Sequence, residues 1–99
     1  MSKMSDDEFK LLIKSLGEQL LENQPEATRM LSTLIKDTIQ FRDKLKEETG
    51  QILTVADTQK ALDALETHLN GESFPKNLSP EQKALAQIFI DRVILFRLR

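Results

Sequence analysis

Residues 88–98 read Ile-Phe-Ile-Asp-Arg-Val-Ile-Leu-Phe-Arg-Leu, and eight of these eleven are apolar. As a helix the segment does not form one stripe. Leu85, Ile88, Phe89, Leu95 and Phe96 cover one side, Ile90, Ile94 and Leu98 cover much of the other, and Val93 lies between. A helix that is apolar nearly all round must be covered nearly all round. The chain has 99 residues, the size of one domain, and a chain of this length hides roughly 65% of its unfolded surface on folding. That supports one modest core. The segment is therefore either the central helix of the monomer or a helix with one face inside and the other covered by a second chain. The second reading is favoured, because every other helical segment offers one narrow stripe and a bare patch of this size is unusual on a soluble monomer.

Those other segments are set off by helix punctuation. Ser5-Asp6-Asp7-Glu8 has the form of a capping box, with its acids placed against the positive end of a helix dipole. Phe9, Leu12, Ile13, Leu16 and Leu20 follow at spacings of three and four, with Leu11 and Leu21 off the stripe, so a helix is expected over 6–22. A second is expected over 25–49, opened by Pro25 and closed by Gly50. Its face carries Ala27, Met30, Leu31, Leu34, Ile35, Thr38, Phe41 and Leu45, with Ile39 off the main stripe. A third, over 55–70, starts at either Thr54 or Asp57 as cap, has Ala61, Ala64, Leu65 and Leu69 on its apolar face with Leu62 at the edge, and ends at Gly71. The fourth, over 80–98, has Ser79 as cap, Pro80 in its first turn and Gln82 to close the box. Phe, Ile and Val also favour strands, but this start and the run Lys83-Ala84-Leu85-Ala86-Gln87 specify helix. The expectation is an all-α fold, a small compact bundle of about four helices forming one domain over residues 1–99.

Composition removes most chemistries. With no cysteine there are no disulfides, thiolate nucleophiles, or cysteine-bound zinc or iron–sulfur sites. Of the remaining groups, the one histidine, His68, falls within the apolar stripe of the third helix and reads as a packing residue. The three glycines, Gly17, Gly50 and Gly71, are scattered and build no phosphate loop. Asp6-Asp7-Glu8 is too linear for an oxygen-ligand metal loop. Neither an enzyme, a cofactor nor a metal site is expected. The acidic N-terminus lacks a signal core, and no run reaches the ~18 apolar residues of a membrane span. A cytoplasmic protein without membrane association is expected.

A partner surface remains. The formal net charge is −2, and cations alternate with anions, as in Arg42-Asp43-Lys44-Leu45-Lys46-Glu47-Glu48, the pattern of a solvated helix face. Nucleic acid is the alternative partner. A helix-turn-helix would place its turn at 50–53 and read with 57–69, but that helix sets Lys60 against Asp57, Asp63 and Glu66. Arg92, Arg97 and Arg99 complement the C-terminal dipole of the last helix. The expected function is a non-catalytic protein–protein interaction module, an adaptor, inhibitor, chaperone or assembly subunit, whose partner is another protein, a second copy bound through the C-terminal helix, or both. Its candidate contact residues are Ile90, Ile94, Arg97 and Leu98, with Phe74 in the loop over 71–78.

Overall fold

The computed structural model describes residues 5–20 and 27–97, without the side chains at 6, 9, 16–20, 27, 28 and 97. The fold is all-α, with no strand among the described residues. Its helices are α1 (Asp6–Leu20), α2 (Ala27–Thr49), α3 (Val55–Leu69) and α4 (Pro80–Arg97). The expected beginning of the second helix at Pro25, the ends at 22 and 98, and the side chains of Phe9, Leu16, Leu20 and Ala27 lie outside what is described.

The punctuation works as local chemistry requires. At the start of α1 the Ser5 amide donates to Glu8 Oε1 at 3.0 Å and the Glu8 amide to Ser5 Oγ at 3.2 Å. The start of α4 repeats the exchange: the Ser79 amide donates to Gln82 Oε1 at 3.0 Å and the Gln82 amide to Ser79 Oγ at 3.2 Å. Each box satisfies amides that have no partner inside the helix, and a cap of this kind contributes about 1 kcal/mol. The two helix ends marked by glycine differ in form. Gly50, at φ +74°, closes α2 with a single bond from its amide to Lys46 O at 2.9 Å, the αL motif. Gly71, at φ +80°, closes α3 with two, Gly71 N to His68 O at 3.0 Å and Glu72 N to Thr67 O at 3.0 Å, which is a Schellman motif. The start of α3 at Val55 places Thr54, not Asp57, in the cap position.

Two compact units divide the chain, Met1–Val55 and Ala56–Arg99. In the first, α1 packs against α2. Among the described side chains of α2 the buried ones are Met30, Leu34, Thr38 and Arg42, a single row at every fourth position. On its flanks Leu31, Ile35 and Ile39 form one half-buried row, and Phe41 and Leu45 part of another. Two members of the buried row are polar. Thr38 is satisfied by donating its hydroxyl to Leu34 O at 2.7 Å, and Arg42 binds Asp43 Oδ1 through Nε and Nη2, both at 2.9 Å.

In the second unit α3 buries Thr58, Ala61, Leu62, Ala64 and Leu65. The small alanines leave room for close neighbours, and Leu62 is buried, where the periodicity set it at the edge. α4 buries Gln82, Leu85, Ala86, Phe89, Ile90 and Val93, a double row at spacings of three and four. Gln82 links the two helices. While its Oε1 closes the capping box, its Nε2 donates to Asp57 Oδ1 at 2.7 Å, across 25 residues of sequence.

Candidate functional site

The last two turns of α4 decide where its apolar surplus goes. Phe89 and Val93 continue the inward row begun by Gln82 and Ala86, and Ile90 falls beside it at 2% exposure. Ile94 and Leu95 lie beyond the two edges of this row and are 40% and 58% exposed, with Ile88 half-buried on the Leu95 side. The outer face thus carries apolar side chains, but not the expected set. The expectation for Ile90 is overturned: one turn from buried Ala86 and itself 2% exposed, it belongs to the buried face, while Ile94, one turn further on, is 40% exposed. Leu95 takes its place, although sequence periodicity grouped it with Leu85 and Phe89.

The other expected contact residues are placed as follows. Ile94 is exposed. Arg97 is the last residue of α4, and its side chain, like Leu98, lies outside the described residues. Phe74 is half-buried, with its ring 6.1 Å from that of His68 at an interplanar angle of 57°. That contact fastens the α3–α4 loop to the last turn of α3. His68 is exposed, not packed within the stripe. Large apolar side chains are also exposed at Leu11, at 70%, at Ile52 between α2 and α3, and at Val55, the first residue of α3.

A second surface feature was not visible in the sequence. An open groove of about 330 Å³ runs beside α2, lined by Ser32, Ile35, Lys36, Ile39 and Gln40, with Lys10 of α1 on its other side. Its floor uses the half-buried row of α2. Ile35 was assigned to the main stripe and Ile39 off it. Their common spacing of four was the available signal.

Among the described residues no three His, Asp or Glu side chains gather as a metal site would require, and no helix is long and apolar enough to cross a membrane. The exposed residues of α3 include Gln59, Lys60, Asp63, Glu66 and His68, with Gln59 Nε2 donating to Asp63 Oδ1 at 2.9 Å. One cation against two acids makes a poor face for a phosphate backbone. No family model, no curated protein and no solved structure matches the chain.

Proposed function

We propose that the chain is a non-catalytic protein-binding module that self-associates through the outer face of α4. The observation that carries this reading is the pair Ile94 and Leu95, consecutive residues left open to solvent on a helix whose other large apolar side chains are buried or half-buried. Covering two such side chains gains a few kcal/mol at about 25 cal/mol per Å² of apolar surface, which is useful only as the centre of a larger contact. The nearly even charge, 14 cations against 16 acids, allows two copies to approach without strong repulsion. With no cysteine and a single histidine, which is exposed, the chain has no Cys–His pair and no buried imidazole base.

The test is solution mass, by size-exclusion chromatography with light scattering at low and high salt. The expected result is a mass of about two chains or more, unchanged by salt because the contact is apolar, falling to about one chain when Ile94→Lys and Leu95→Lys are combined. A monomer at every concentration and salt would remove self-association through α4.

A further inference from the structure

The groove beside α2 has a chemistry that the chain as a whole does not. Its floor is Ile35 and Ile39, its flanks are Ser32 and Gln40, and its two charged residues are both cations, Lys10 from α1 and Lys36 from α2. Among the described residues no acid lines it, in a chain where acids outnumber bases by 16 to 14. Both lysines are exposed, and neither has an ion-pair partner within 4 Å among the described residues.

We infer that this groove is a docking site for an acidic amphipathic helix of a protein partner. The floor presents two isoleucines one helical turn apart, the spacing that an apolar ridge on a second helix also has. The lining of α2 from Ser32 to Gln40 is about 12 Å long at 1.5 Å per residue, or two turns. That length suits two or three anchor side chains of a helix laid in a groove. The lysines, one from each helix, select the flanks of that helix: carboxylates beside the apolar ridge meet ammonium groups that have no ion-pair partner among the described residues, and a basic helix is repelled. The groove is open and short, so it offers an acyl chain little of the enclosure that holds a lipid. This site lies on different helices from the α4 face and has a different selectivity, so it goes beyond the function proposed above and does not depend on it.

The experiment uses the full chain and two synthetic helical peptides, read by fluorescence anisotropy. Both carry leucines at i, i+3, i+4 and i+7. One is flanked by glutamates and the other by lysines at the same positions. The unaltered protein is expected to bind the glutamate peptide at least about tenfold more tightly, the scale of two rim ion pairs. Lys10→Glu with Lys36→Glu, both at exposed positions and checked for helicity by circular dichroism, should reverse that preference. Ile39→Ser should weaken both peptides, and Ile94→Lys should leave both affinities unchanged, which separates this site from the α4 face. Equal binding of the two peptides, binding of neither, or a preference that survives the charge reversal would each overturn the proposal. So would binding to anionic phospholipid vesicles that is lost in the lysine variants while the peptides stay unbound, since the groove would then serve a membrane surface.

Discussion

α2 and α4 bury themselves in different ways. α2 sinks one row, Met30, Leu34, Thr38 and Arg42, and half of that row is polar. α4 sinks two rows, of which only Gln82, at its first turn, is polar. A narrow row leaves half-buried apolar neighbours along its whole length, and on α2 these become the floor of a groove. A broad face consumes its neighbours and leaves a surplus only where the sequence exceeds the face, at Ile94 and Leu95. The width of the buried stripe, more than the number of apolar residues in a helix, decides whether the exposed remainder is a groove or a knob.

The largest effect expected from this comparison is at the boundary of the broad face. Ile90→Lys sets an unpaired ammonium among buried side chains and should cost about 3–5 kcal/mol, enough to unfold a domain of ordinary stability. Ile94→Lys, one turn later and exposed, should change stability by no more than about 0.5 kcal/mol. Urea unfolding of the two variants measures both. Equal losses would mean that the face of α4 extends to Ile94 and that no surplus remains.

The next effect tests the one polar residue of the broad face. Gln82 accepts at its own helix start and donates to Asp57, a pair of roles that only an amide fills, since a carboxylate keeps the first and loses the second. Gln82→Glu should therefore cost about 1–3 kcal/mol at neutral pH. The introduced carboxylate faces Asp57 and is driven to hold its proton in the folded state. Its folded value thus lies above the unfolded value of about 4.3, so stability falls as pH rises through that window. The deficit should shrink below about pH 4, where the protonated group donates to Asp57. Unfolding midpoints at pH 4 and pH 7 decide it, and a deficit that grew on acidification would show that the Asp57 bond is not what Gln82 contributes.

How much of this was legible follows from the range of each interaction. Both capping boxes and both glycine stops are set within six residues, and Ser5-Glu8, Ser79-Gln82, Gly50 and Gly71 were readable because local chemistry decides them. Most of the inward face of α3 was readable from its periodicity, but Leu62, expected at the edge, is buried, and Leu69 is only half-buried. Ile90 was not readable, because a segment apolar on all sides carries no signal of which side is inside, and that choice belongs to what packs against it. The groove was hidden for a further reason: Lys10 and Lys36 come from two helices, and only the packing of α1 on α2 brings them to one place. The bond from Gln82 to Asp57 is equally non-local.

The smallest expected effect concerns the narrow row. Thr38 is fully buried, yet its hydroxyl binds only the backbone of its own helix, at Leu34 O. That carbonyl keeps its ladder bond from the amide at position 38 whatever side chain stands there. Replacing the hydroxyl by a methyl group removes a polar group from the interior and leaves no acceptor orphaned. The cost of an unsatisfied partner, which makes most buried polar deletions expensive, does not arise. Valine has the same branching at Cβ and so meets the same rotamer restriction in a helix. Thr38→Val should therefore leave stability within about 0.5 kcal/mol, or raise it slightly, with no change in the denaturant slope. If so, the narrow row of α2 is held by position along the helix, and its polar members are tolerated rather than required. A loss above about 1 kcal/mol would mean that the hydroxyl shapes α2 itself, since bonding back to the preceding turn bends a helix, and a change in the affinity of the glutamate peptide for the groove should then accompany it.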